Sequence, residues 1–164
     1  MNELRLEIRV QAPAAEIWHL WSDVASAPLW DTDVRHCTLD GPFVTGTRGL
    51  CTLKNGLKMP LRLEDVKPTY SYTNNARLLW MDLNFSHHLR RIGARETHVI
   101  HTVRLAGRFS FLYRGLVHSL LRAAMGKALR NLRTLAEQRA AKALTPPLAS
   151  PTATPLAFPP AQAN

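Results

Sequence analysis

His87, His88, His98 and His101 form the one histidine cluster in the strand-like part of this sequence, and their spacing limits what they can do. If segments 79–88 and 94–106 pair as a hairpin, strand alternation places His87 and His101 on the inward face and turns His98 outward. Two imidazoles with no inward carboxylate nearby make a poor zinc set, which takes three or four ligands, so neither a metal nor another cofactor is expected. His88 and His98 read as structural or surface residues. His101 interrupts an apolar face of Val99, Val103 and Leu105. It is either a core histidine with one satisfied hydrogen bond or a pocket group that orients a ligand or shuttles a proton.

Other chemistry finds less support. No HExxH, GxSxG, P-loop or dinucleotide-type glycine fingerprint occurs, which disfavours covalent hydrolysis and nucleotide-dependent reactions. Cys37 and Cys51 are too few for a disulfide scaffold, lie outside any CxxC spacing and flank no evident base; they are expected to be small buried hydrophobes. Asp65 shares the parity of Met59, Leu61 and Leu63, but it precedes the Lys67-Pro68 turn and is expected in solvent.

The elements that must position these groups follow from periodicity. Leu4, Leu6, Ile8 and Val10 alternate with Arg5, Glu7 and Arg9, which predicts a strand with one wet face. Pro13 opens a short helix over Ala14–Trp21, and Ser26–Trp30 predicts a second. From Val34 to Leu105, strand-like segments are separated by turn signals at Asp40-Gly41-Pro42, Gly46, Asn55-Gly56, Lys67-Pro68, Asn74-Asn75 and Gly93. Asn55-Gly56 is the sharpest, reading as a type I′ hairpin with positive φ at both residues. A long helix is predicted from between Arg108 and Tyr113 to about Ala143, with an apolar stripe of Val117, Leu121, Ala124, Ala128, Leu132 and Leu135. The order is one strand, two short helices, six strands in an antiparallel meander, and one long helix.

Of the 164 residues, 46% are hydrophobic and 20% charged, which fits one domain over residues 1–144. Residues 145–164 hold six prolines, five alanines and no charge, and are expected to be a disordered tail. No run is long and apolar enough for a membrane span and the N-terminus carries no secretory h-region, so a cytoplasmic address is the default. The formal charge is +9, and it is unevenly placed. Residues 1–107 hold 13 Lys+Arg against 11 Asp+Glu, whereas residues 108–142 hold 8 against 1. The excess belongs to the long helix, where Arg122, Lys127, Arg130 and Arg133 form a basic stripe. That stripe is either a solvated outer face or a surface for an anionic membrane; nucleic acid is the weaker partner, because no aromatic-studded basic sheet or recognition helix accompanies the charge.

Several local phrases accompany this order: Ala12-Pro13-Ala14-Ala15-Glu16-Ile17-Trp18, Trp21-Ser22-Asp23-Val24 with Trp30 nine residues after Trp21, Gly41-Pro42-Phe43 leading to Gly46-Thr47-Arg48-Gly49, and Thr97-His98-Val99-Ile100-His101 before Leu105-Ala106-Gly107. Together they resemble the polyketide cyclase/dehydrase-like branch of the START/Bet v 1 (SRPBCC) superfamily, over about residues 3–140. The resemblance implies an α+β helix-grip fold: a curved seven-stranded antiparallel sheet wrapped around the long C-terminal helix, with an apolar cavity between them. It places Trp21, Trp30, Met59, Leu63, Tyr72, Leu83, Phe85, His87, His101, Phe111, Val117 and Leu121 along that cavity, each with plain core packing as the alternative. Arg114, near the helix start, is either an anchor for a ligand carboxylate or phosphate or a side chain that reaches water.

Three functions follow as expectations. The first is a carrier or sensor of a hydrophobic small molecule of lipid, polyketide or aromatic type, acting as a monomer or weak dimer. The second is a cyclase/dehydratase-like enzyme without metal or nucleotide cofactor, with His101 and Tyr72 as the candidates for proton transfer. The third is a membrane-surface-associated protein that uses the basic helix.

Overall fold

The computed structural model describes residues 3–78, 81–106 and 114–144. In chain order these form β1 (Glu3–Val10), α1 (Ala14–Ser22), a 3₁₀ turn at Val24–Ser26, α2 (Ala27–Trp30), β2 (Val34–Leu39), β3 (Arg48–Leu53), β4 (Lys58–Lys67), β5 (Ser71–Leu78), β6 (Met81–Gly93), β7 (Glu96–Ala106) and α3 (Arg114–Lys142). The seven strands make one antiparallel sheet in the order β1-β7-β6-β5-β4-β3-β2. The chain therefore crosses from one sheet edge to the other through α1 and α2, and every later strand pairs with its predecessor. This is the α+β helix-grip architecture, a curved sheet with the long C-terminal helix held against it.

Alternation puts the apolar residues inside. Leu4 and Val10 on β1, Leu63 on β4, Leu83 and Leu89 on β6, and Val99 and Val103 on β7 are all buried. α3 packs against β1, α1 and α2. Its buried side carries Met125, Ala128, Leu129, Leu132, Ala136 and Ala140, so the predicted stripe holds at Ala128 and Leu132 but is rotated toward Met125, Leu129 and Ala136; Leu121, Ala124 and Leu135 are only half-buried. The C-terminal end of α3 is tied to the start of the chain: the Gln11 N–H donates to Glu137 Oε1 at 3.0 Å, and Arg139 Nε to Glu16 Oε2 at 3.1 Å.

Two local readings are corrected. Asn74 and Asn75 lie inside β5 rather than in a turn, because cross-strand pairing with Leu63 and Arg62 on one side and with Phe85 and Asn84 on the other overrides their turn propensity. The Asn55-Gly56 hairpin exists, but only Gly56 has positive φ, at 86°; Gly56 N–H bonds to Leu53 O and Leu53 N–H to Leu57 O, giving a longer loop than a two-residue type I′ turn. Gly49 is held by close approach, since a Cβ there would clash with the Thr38 carbonyl oxygen. The helix start expected between Arg108 and Tyr113, and the tail from 145 to 164, lie outside the described residues.

Candidate functional site

A cavity of about 220 Å³ lies between the sheet, the α1–α2 segment and α3. Trp21 and Trp30 reach it from the two short helices, and Leu121, Ala124, Met125 and Ala128 from α3. The sheet contributes Met59 and Leu63 from β4, Tyr72 from β5, Leu83, Phe85 and His87 from β6, and His101 from β7. Phe111 lies outside the described residues, as do the side chains of Arg114 and Val117.

The inner end of the cavity is set by strand register. Tyr72 pairs with His87 and His87 with His101, so three consecutive strands place three polar rings in one row on the inward face. His87 stacks on Tyr72 with ring centroids 4.1 Å apart and planes within 5°, and meets His101 edge-on at 4.3 Å. Trp21 covers the row, its ring 5.4 Å from Tyr72 and from His87 and 5.5 Å from His101. Trp30 is held by its own indole N–H, which donates to Leu20 O at 3.2 Å, and by Asn131, whose amide donates to Trp30 O at 3.2 Å.

Burial decides the protonation of this row. It holds the His87 imidazole well below its ordinary range, with neighbouring His101 pushing the same way, and it lowers His101 to about 3. Both are neutral at physiological pH. The Tyr72 hydroxyl is pushed well above its usual range, first by burial and then by the Asp31 charge. Among the described residues, Trp21 Nε1, His87 Nδ1 and His101 Nε2 are buried without a hydrogen-bond partner. Unmet polar atoms of this kind are uncommon in a packed core, and each calls for an explanation.

The other end is different. Asp31 and Asp33, in the turn between α2 and β2, line the cavity. Asp31 is the inward carboxylate that strand alternation did not disclose; burial raises its carboxyl to about 6, opposed by the Asp33 N–H, which donates to Asp31 Oδ1 at 3.2 Å. Phe43, from the β2–β3 loop, packs 5.1 Å from Tyr72 and 5.7 Å from Trp18. Cys37 and Cys51 are buried on the same wall, but they are joined in a disulfide, which corrects their reading as independent hydrophobes. The cause is register: they sit directly opposite each other on β2 and β3, with Cα atoms 4.1 Å apart. Disulfides persist mainly in oxidising compartments, so the cysteines lend no support to a cytoplasmic default. No helix among the described residues is long and apolar enough to cross a membrane.

The remaining candidates fall outside the cavity. Asp65 is exposed and paired with Lys67 at 3.0 Å. His98 is on the outer sheet face, 3.0 Å from Glu7 and opposite Arg90, and His88 is exposed on β6 opposite Ile100. Arg122, Lys127, Arg130 and Arg133 are all exposed on α3, with Arg133 paired to Glu137. Among the described residues no three His, Cys, Asp or Glu side chains converge as a metal site.

The comparisons agree with this geometry. Residues 1–137 match the family model described as polyketide cyclase/dehydrase and lipid transport. No curated protein sequence matches significantly. The fold is similar to the Zhui aromatase/cyclase of Streptomyces sp. R1128, with TM-score 0.73 and 12% identity over 84% of this chain and 94% of that one. It is also similar to the di-domain aromatase/cyclase BexL of the BE-7585A biosynthetic pathway, with TM-score 0.70 and 14% identity over 84% of this chain and 47% of that one. DynU16, from the dynemicin biosynthetic locus, gives TM-score 0.68 and 19% identity over 85% of this chain and 49% of that one. The chain thus spans about half the length of BexL and DynU16. Sequence phrases, sheet order, cavity and family match converge: the chain belongs to the polyketide cyclase/dehydrase and lipid-transport family.

Proposed function

We propose that this protein binds an apolar, ring-bearing small molecule in the cavity and acts as its carrier or sensor. The observation that carries this reading is the inner row of Tyr72, His87 and His101 under Trp21, where three buried polar atoms have no hydrogen-bond partner among the described residues inside a mostly apolar enclosure. A ligand hydroxyl or carbonyl supplies the missing hydrogen bonds, and flat rings stack among Trp21, Trp30 and Phe43. Enzymes of the aromatase/cyclase kind share the fold, and proton transfer by His101 or Tyr72 is the competing reading. Their environments weigh against it. General acid–base work is most efficient with a pKa near the working pH, whereas burial makes His101 a weak base and Tyr72 a weak acid. Neutral imidazoles of this kind serve better as fixed hydrogen-bonding groups.

The test is native mass spectrometry of protein isolated from its source, followed by denaturing extraction. Release of an apolar compound that returns chemically unchanged after prolonged incubation is the expected result. Conversion of that compound, abolished by His101→Gln and Tyr72→Phe in folded protein, would establish the enzyme instead. Failure to find a ligand, together with failure of any aromatic probe to change tryptophan fluorescence, would remove both readings.

A further inference from the structure

Charge in the cavity runs opposite to charge in the whole chain. The protein carries a formal +9, yet the cavity lining includes Asp31 and Asp33 and, among the described residues, no Lys or Arg. The carboxylates mark the solvent end, since Asp33 is exposed and Asp31 half-buried while Tyr72, His87 and His101 lie buried. Among the described residues no Lys, Arg or His nitrogen stands within ion-pair distance of either one. Lys54 is near in the fold, its N–H bonding to Asp33 O at 2.9 Å, but its side chain is exposed and unpaired with that carboxylate. Asp31 Oδ1 accepts the Asp33 N–H at 3.2 Å. Its charge is felt inside the cavity, because it adds to the upward push on the Tyr72 hydroxyl. Trp30 and Phe43 add aromatic rings to the same enclosure, and the faces of such rings attract cations.

We infer that the cavity selects a protonated, ring-bearing amine, whose nitrogen meets Asp31 at the mouth while its rings and far polar group occupy the aromatic interior. The inference rests on the cavity's being a ligand site and adds the sign of the ligand's charge. A carboxylate or phosphate ester of the same shape meets an uncompensated negative charge at a partly desolvated mouth and is disfavoured, although it is drawn to the molecule as a whole. This runs against an anionic ligand anchored by Arg114. A point carboxylate beside aromatic faces suits an ammonium better than it suits a neutral alcohol, which gains one ordinary hydrogen bond.

Calorimetric titration with three naphthalenes of nearly equal size tests it: 1-naphthylmethanol, 1-naphthylmethylamine and 1-naphthoic acid, at pH 7.5 with fixed ionic strength. The amine is expected to bind at least about ten-fold more tightly than the acid, with the alcohol between. Asp31→Asn, which preserves shape, is expected to shrink the amine-to-acid ratio several-fold. An acid that binds as well as the amine, or a ratio unmoved by both Asp31→Asn and Asp33→Asn, overturns the inference while leaving the cavity reading intact. Failure of all three naphthalenes to bind overturns the cavity reading itself, and the inference with it.

Discussion

The two ends of the cavity are built by different means. At the inner end, Tyr72, His87, His101 and Trp21 are buried and neutral, held by packing and strand register. At the outer end, Asp31 and Asp33 sit in a turn, beside a wall that the Cys37–Cys51 disulfide ties covalently. The difference separates stability from selectivity. The inner row takes its energy from excluding water and keeps its imidazoles uncharged, whereas the outer turn keeps charge in contact with solvent. An apolar ligand with one polar end is matched by such a gradient.

Substitutions at the two ends should therefore differ in what they change. The largest effect is expected from Trp21→Ala, which removes the fully buried ring covering Tyr72, His87 and His101; a loss of about 3–5 kcal/mol in denaturant unfolding is expected. Next comes the outer wall. The disulfide closes a loop of sequence separation 14, so the Cys37→Ala/Cys51→Ala variant should lose about 3 kcal/mol while keeping the ring contacts of the inner row. A loss larger than that of Trp21→Ala would invert the comparison.

Acid titration separates the ends by sign. His87 and His101 are held neutral in the folded protein, so only the unfolded chain takes up their protons as pH falls below the ordinary histidine value of 6.5. Asp31 acts in the opposite direction, because its folded carboxyl, raised from 3.8 to about 6, is protonated before the unfolded one. The histidines outnumber it, so stability should fall between pH 6.5 and 5 by at most about 1.4 kcal/mol per pH unit. In the His87→Gln/His101→Gln variant this contribution should reverse, leaving Asp31 to favour the folded state as pH falls. Chemical denaturation at three pH values reads both slopes, and equal slopes in the two proteins would show that the inner row is not held neutral.

The smallest effect on stability is expected on the outer face of α3. Neutralising Arg122, Lys127, Arg130 and Arg133 together removes exposed charges of which, among the described residues, only Arg133 has an acidic partner, Glu137, so each should contribute less than about 0.5 kcal/mol. Probe affinity should be unchanged. Flotation with anionic liposomes at low and high salt tests whether this face docks on membranes: a docking role requires salt-sensitive binding that the quadruple variant loses.

Much of the fold was legible because it follows periodicity. Given a hairpin of segments 79–88 and 94–106, alternation puts His87 and His101 on one inward face, and the register places them side by side. The outer end was hidden for physical reasons. Asp31 lies in a turn, where no period assigns a direction, and Phe43 lies in a loop whose path depends on the sheet's curl. The disulfide depends on the β2–β3 register, which neither cysteine's local sequence specifies. Asn74 and Asn75 show the converse, a strong local turn signal overruled by strands on both sides.

The central claim is that the cavity is the ligand site, and Ala124→Trp tests it most directly, because this half-buried α3 residue lines the cavity and the added indole would occupy it. Calorimetry with 1-naphthylmethanol should show an affinity reduced at least about ten-fold in Ala124→Trp, with its unfolding midpoint close to that of the parent protein. Undiminished affinity in the folded variant would contradict the claim.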